Sequence, residues 1–199
     1  MLLQIPHHDE HGSNGFQIVG FYASHGWSRS DGIGNDSCFL FNLTQNLRLN
    51  ADAVSKAHAA NFGFEPIGSV FAPGRVNLIG DHTDYNDGYV FPVALEIGTF
   101  IAYSRNTSGR VRARSMNMEA QLERDVMAPA FGDWLDYVIG ALQALSLNTG
   151  VTLPSGLDLT IGSTVPTGAS VSSSAALQVA TLRAAVEAFG LDISPETLA

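Results

Sequence analysis

Residues 157–189 read LDLTIGSTVPTGASVSSSAALQVATLRAAVEAF. Leu157, Leu159 and Ile161 alternate with Asp158, Thr160 and Gly162, the period-two pattern of a strand. A turn of small residues follows: Val165, Pro166, Thr167, Gly168, Ala169, Ser170, Val171, Ser172, Ser173 and Ser174. From about Ser173 to Phe189 the chain is apolar nearly all round, which predicts a buried helix; Arg183 and Glu187 stand four apart on it, and Gly190 stops it. A small-residue turn between strand and helix is geometry for an anion, because free N–H groups and the positive end of the helix dipole meet hydroxyl donors there. No Gly-Lys-Ser/Thr follows, so this is not a Walker loop. By itself the turn reads as a simple N-cap loop.

Working outward, Asp133 caps a predicted helix on which Trp134, Val138, Ala141 and Leu145 share one face. Another helix is predicted over residues 52–62, with Asp52 as cap, Ala53, Val54, Ala57 and Ala60 apolar, and Gly63 as stop. Between them lie a short strand at Val70, Phe71 and Ala72, a loop over 73–88, and strands over 89–96 and 99–105. A Gly-containing turn at 106–109 predicts a hairpin into a strand over 111–116, and 120–127 reads as one more strand. Ser194 and Pro195 start a last helix that has run one turn at Ala199. A one-turn stub buries nothing, so the chain is expected to be a piece of a longer protein. The fold class is α+β.

Hydrophobic residues make up 45% of the 199 and charged residues 15%, a globular composition. The net charge of −9 argues against nucleic acid and anionic membrane surfaces as partners. Cys38 is the one cysteine, which excludes an intrachain disulfide and a Cys-based zinc site. No signal-peptide pattern and no apolar run of membrane-spanning length occur, so a cytoplasmic location is expected. Residues 1–50 lack a sustained period and are expected to form a poorly ordered extension; His7, His8, Asp9, Glu10 and His11 there read as a solvated polar tail rather than a metal site.

A second loop, residues 72–86, reads APGRVNLIGDHTDYN. It is dense in groups that bind a polyol: Asp81 and Asp84 accept from hydroxyls, and His82, Asn77 and Asn86 donate or accept. Arg75 supplies a fixed positive fork for a carboxylate or phosphoryl oxygen. Polar composition alone reads as a surface loop, whereas Val76, Leu78 and Ile79 point to partial burial.

Together the two loops resemble the first and second motifs of the GHMP small-molecule kinases, the group of galactokinase, homoserine kinase, mevalonate kinase and phosphomevalonate kinase. Residues 74–86 resemble the galactokinase signature, which the other members lack. The resemblance covers about 52–199, includes the helix carrying Trp134 and Tyr137, and leaves out the first fifty residues. It implies the N-terminal lobe of the GHMP kinase fold, similar to a domain of ribosomal protein S5, with a C-terminal lobe beyond Ala199. The implied activity is transfer of the γ-phosphoryl of MgATP to the anomeric hydroxyl of galactose. Asp81, His82 and Asp84 match sugar-binding positions, and Arg75 matches a cation beside the transferring phosphoryl group. Gly168, Ala169, Ser170, Ser172, Ser173 and Ser174 match the phosphate loop, with Ser174 also at a position that helps hold Mg²⁺. Trp134 and Tyr137 match residues near the adenine; as residues alone they read equally as core aromatics. Asp81 stands where the family usually has Glu, and Ser170 where it usually has Gly. The family's catalytic Asp falls beyond Ala199, so this chain alone is expected to be inactive. The alternatives are a kinase for a related sugar, a non-catalytic galactose- and ATP-binding sensor, and a nucleic-acid module like the ribosomal domain, the last opposed by the charge.

Overall fold

The computed structural model describes residues 5–8, 14–17, 49–80, 86, 88–118, 120–166 and 171–198. The chain forms two compact units, Met1–Gln45 and Asn46–Ala199. In the first, β1 (Ile5–His8) pairs antiparallel with β2 (Asn14–Gln17), Ile5 opposite Gln17 and His8 opposite Asn14. Strands of four residues are too short to announce a period, so the sequence assigns none there. The rest of the expected extension up to residue 48, and the side chains of the histidine cluster, lie outside the described residues.

The second unit begins with α1 (Ala51–Phe62). Its cap is Asn50, not Asp52: the Asn50 side chain accepts the Ala53 N–H at 2.8 Å in extended backbone geometry. Asp52 lies inside the first turn, where its charge suits the helix dipole, and pairs with Lys56 at 3.0 Å. Gly63 closes the helix at a φ of 83°, donating to the Ala59 carbonyl.

Five strands follow: β3 (Gly68–Ile79), β4 (Phe91–Asn106), β5 (Val111–Ser115), β6 (Gln121–Arg124) and β7 (Gly156–Ser163). Their order in the sheet is β3-β4-β7-β5-β6, with β5 and β7 parallel and every other pair antiparallel. Three expectations are corrected here. The strand at Val70 runs on to Ile79, because Arg75 and Asn77 alternate with Val76 and Leu78 and so fit a pleat as well as a loop. The strands expected over 89–96 and 99–105 are one strand, whose pairing with β3 shifts register between Pro73 and Arg75. The hairpin expected at 106–109 does not form, since β7 lies between β4 and β5. Gly156 makes that insertion fit: a Cβ there would stand 2.2 Å from Asn106 Oδ1 and 2.3 Å from the Arg110 carbonyl oxygen.

Three further helices complete the unit: α2 (Leu135–Thr149), α3 (Ser173–Phe189) and α4 (Pro195–Leu198). One sheet face carries Val70, Ala72, Ile101, Tyr103, Val111, Ala113, Leu157, Leu159 and Ile161, and forms one core with Leu135, Val138 and Leu142 of α2 and Ala180, Ala184 and Ala188 of α3. The other face lies under α1, where Gly162 leaves room for Leu49 and Val54. The alternation in β7 therefore separates two interiors rather than core from solvent; Asp158 and Thr160 are as buried as Leu157 and Leu159. Arg112 grips Asp158 with Nε and Nη2, each at 2.6 Å, and Asn106 donates to the same carboxylate at 2.6 Å. Beside them His58 Nε2 and Ser104 Oγ are 2.8 Å apart. Among the described residues no helix is long and apolar enough to cross a membrane.

Candidate functional site

The two chemistry-bearing loops meet. At its exit the Gly/Ser turn is tied to β3: the Arg75 N–H donates to the Val171 carbonyl at 3.2 Å. At its entry it is tied to β4, with Thr164 N–H on the Gly98 carbonyl at 2.9 Å and Gly98 N–H on Thr164 Oγ1 at 2.9 Å. Both ties need glycine. A Cβ at Gly74 would stand 2.9 Å from the Val171 carbonyl oxygen, and one at Gly98 would stand 2.2 Å from the Ala72 carbonyl oxygen. The β3–β4 pair thus holds the turn at both ends, and Arg75 is half-buried at the junction.

The turn delivers the chain into α3 in an unusual way. Ser172 is the N-cap in left-handed backbone, φ 60° and ψ 41°, and makes no side-chain capping bond. It is the one non-glycine residue with positive φ among those described. A serine held there costs free energy that neighbouring structure must offset. The first turn of α3 carries no acidic residue, and Ser173 and Ser174 are exposed on it. The N-terminal N–H groups of a long helix, lacking a side-chain cap, present partial positive charge to an anion. Ser174 offers a hydroxyl beside them, which suits Mg²⁺, an ion that takes one or two protein oxygens and otherwise phosphates and water. Among the described residues there is no group of three or more His, Cys, Asp or Glu that could hold a metal by itself.

Trp134 and Tyr137 sit at the start of α2, which packs against α3. Trp134 is half-buried against the core, while Tyr137 is 37% exposed. The residue at the cap position is Trp134, in helical backbone and without a side-chain capping bond, and not Asp133 as the sequence indicates; Asp133, one residue earlier, still accepts the Leu135 N–H at 2.9 Å. Asp136 accepts from the Phe131 and Gly132 N–H groups, the latter at 2.6 Å, and from Arg124 Nη1 at 2.5 Å. Burial works to raise the Asp136 pKa, but these hydrogen bonds and the Arg124 charge outweigh it and hold the carboxyl below its usual range. Nothing in the sequence joins Arg124 to Asp136, because the pairing depends on where β6 docks.

Of the residues that carry the resemblance, Asp81, His82, Asp84, Gly168, Ala169 and Ser170 lie outside the described residues. The expected burial of Leu78 and Ile79 does not hold: they are 61% and 72% exposed at the far end of β3. Phe91, paired opposite Ile79, and Tyr89 just before β4 are exposed too, so the apolar residues flanking this loop do not insert into the unit's own core. The close approaches at Gly74 and Gly98 are what the sequence reading missed; the glycines were visible, but the strands they touch were not.

Comparison with known proteins gives consistent matches. Residues 56–105 match the galactokinase galactose-binding signature, and residues 136–199 match the GHMP kinases N terminal domain. A galactokinase of Clostridium perfringens is 40% identical over 139 residues, covering 67% of this chain and 36% of that protein. A galactokinase of Roseiflexus is 44% identical over 122 residues, covering 60% of this chain and 31% of the relative. Among solved structures, Lactococcus lactis galactokinase complexed with galactose superposes with a TM-score of 0.67 at 32% identity, over 74% of this chain and 39% of that one. Methanococcus jannaschii mevalonate kinase, at 16% identity and a TM-score of 0.58 over 65% of this chain and 43% of that one, shares the fold. The chain spans roughly a third of the length of the galactokinases it matches.

Proposed function

This chain belongs to the galactokinase family of GHMP kinases, and from that premise we propose that it serves the ATP-dependent phosphorylation of galactose at the anomeric hydroxyl, giving galactose 1-phosphate. The observation that carries the reading is the hydrogen bond from Arg75 N–H to the Val171 carbonyl, which sets the sugar-binding signature against the turn that opens α3. A sugar hydroxyl and a phosphate chain held by those two segments would be neighbours, and phosphoryl transfer asks chiefly for such positioning and for charge stabilisation. In this reading Asp81, His82 and Asp84 bind sugar hydroxyls, and Arg75 stands beside the transferring phosphoryl group. Residues 168–174 take the phosphates on main-chain N–H groups, and Trp134 and Tyr137 lie near the adenine. Ser174 would contribute its hydroxyl to Mg²⁺, which supplies charge neutralisation on the phosphates. The general base lies outside these 199 residues, so the chain alone binds without turning over; its working location is the cytoplasm.

Asp81 in place of the family's usual Glu favours a second reading, a kinase of a related sugar, since the carboxylate keeps its charge but loses one methylene of reach. Calorimetric titration of the chain with galactose, N-acetylgalactosamine, arabinose and MgATP tests both. Weak galactose binding that weakens further in Asp81→Ala supports the first reading, and preference for another sugar supports the second. No heat with any sugar or with MgATP would overturn the function. Galactose-dependent ADP release that disappears in Arg75→Ala would overturn the placement of the base.

A further inference from the structure

The ten residues between β6 and α2, residues 125–134, end in a knot around one guanidinium. Arg124, the last residue of β6, stands opposite Val111 and has 9% of its side chain exposed. Its Nη1 is 2.5 Å from Asp136 Oδ1, its Nη2 pairs with Asp133 Oδ2, and the Phe131 ring lies 4.3 Å from its central carbon. Asp133 and Asp136 bracket the helix start: one accepts the Leu135 N–H, the other gathers the N–H groups of Phe131 and Gly132, with Gly132 at a φ of 86°. Trp134 lies between the two in the chain, and Tyr137 follows directly.

We propose that Arg124 is a positioning residue that fixes Trp134 and Tyr137 for the nucleotide by tying both flanking carboxylates to the sheet. This rests on the reading of those aromatics as neighbours of the adenine. The guanidinium is the natural device because it satisfies two carboxylates at once and stacks flat on an aromatic ring, which an ammonium does not do. Without it, two carboxylates only 35% and 22% exposed lose the counter-charge they share, and the segment that orients Trp134 loses its fixed end. Gln143 provides an internal control. Its side chain donates to the Val126 and Ala128 carbonyls at 2.7 and 3.0 Å, and so holds the other end of the same segment without touching Asp133 or Asp136.

The test uses the 199-residue chain carrying Trp27→Phe, which leaves Trp134 as the one tryptophan. Trp134 emission and its quenching by acrylamide are read first, then a titration with MgATP. Arg124→Met is expected to shift the emission to the red, raise quenching at least twofold and weaken MgATP at least tenfold. Arg124→Lys is expected to fall between it and the parent, and Gln143→Ala to leave both readings within twofold of the parent. If Arg124→Met folds with unchanged Trp134 emission and quenching, the proposal is overturned. It is also overturned if Gln143→Ala loosens Trp134 to the same degree, since any loss of stability would then suffice. If Arg124→Met does not fold, Arg124→Lys against Gln143→Ala decides by the same readings. A parent that ignores MgATP while Arg124→Met still releases Trp134 would sink the nucleotide reading and keep the positioning role.

Discussion

The Arg75 N–H and the Val171 carbonyl are joined across 96 positions of sequence, at 3.2 Å, and Gly74 is the reason they can approach. Gly74→Ala would put a methyl carbon 2.9 Å from that carbonyl oxygen and 3.3 Å from the Ile97 carbonyl oxygen, both main-chain atoms that yield only if strands move. A loss of about 1–3 kcal/mol is expected in urea unfolding. Gly98→Ala is expected to cost more, because its Cβ would meet the Ala72 carbonyl at 2.2 Å and the Phe71 ring at 2.6 Å.

The ion pair under α1 makes a sharper prediction. Asp158 is fully buried, and Arg112 supplies its charge partner with two hydrogen bonds. Arg112→Met would leave the carboxylate with Asn106 as its remaining hydrogen-bond donor, and a loss of about 3–5 kcal/mol is expected. The double variant Arg112→Met with Asp158→Leu is expected to recover much of it, since the cost lies in the stranded charge. Chemical denaturation of the four proteins completes the cycle.

Stability should fall at both ends of the pH scale for separate reasons. Burial, opposed in part by the Asp158 charge and the Ala102 backbone, lowers the His58 pKa from 6.5. The unfolded chain then takes the proton first, so stability is full above pH 6.5 and falls as pH drops below it. At the other end, burial and the hydrogen bond to Glu187 push the Tyr103 pKa up to about 12. Its unfolded counterpart ionises at about 10, so stability is lost as pH rises from about 10 towards about 12. Denaturation midpoints across pH should show His58→Gln flattening the limb just below 6.5, and Tyr103→Phe flattening the alkaline limb.

Ser172 should tolerate only a narrow set of replacements. Its φ of 60° is strained for any side chain and most strained for a β-branched one. Ser172→Val is expected to cost about 1–2 kcal/mol, whereas Ser172→Gly should stay within about 1 kcal/mol of the parent, relief of strain offsetting the freer unfolded chain. Thermal melts of both variants check the order.

The first unit should be dispensable for the second. Deleting residues 1–45 is expected to change the unfolding free energy of the remainder by less than about 1 kcal/mol, because the apolar periodicity that builds a core begins only after them. A larger loss in urea titration would show that these residues belong to that core.

Helix α3 was legible from end to end: Ser173, Phe189 and Gly190 are where its apolar run and its glycine stop lie in the sequence. The cap of α1 was misread by two residues because Asn50 and Asp52 are both good caps, and only backbone geometry chooses between them. The strand through Arg75 and Asn77 was hidden by its chemistry, since polar residues bound for a ligand site look like loop residues. Sheet order was beyond reach. Asn106 and Gly109 are turn residues in either topology, and nothing local tells that Gly156, some fifty positions on, slips into the mouth of that turn. The site was legible as two loops, but not as one place, because the bond between Arg75 and Val171 is made by main-chain atoms that carry no sequence signal.

That late insertion has a consequence for birth on the ribosome. β4 and β5 leave the exit tunnel early, yet their common neighbour β7 is made only after β6 and all of α2 have been synthesised. At about 5–20 residues per second the two strands wait seconds with facing edges unpaired. Through that interval only the β3–β4 and β5–β6 pairings of this sheet are available, so the edges of β4 and β5 that β7 takes in the folded chain would stay open to other chains. Closing the gap requires one strand to pair antiparallel on one side and parallel on the other, an encounter of distant segments that is slow by its nature. Holding a chaperone or a slow codon run across residues 125–155 would therefore act on the one step at which this sheet is neither open nor closed.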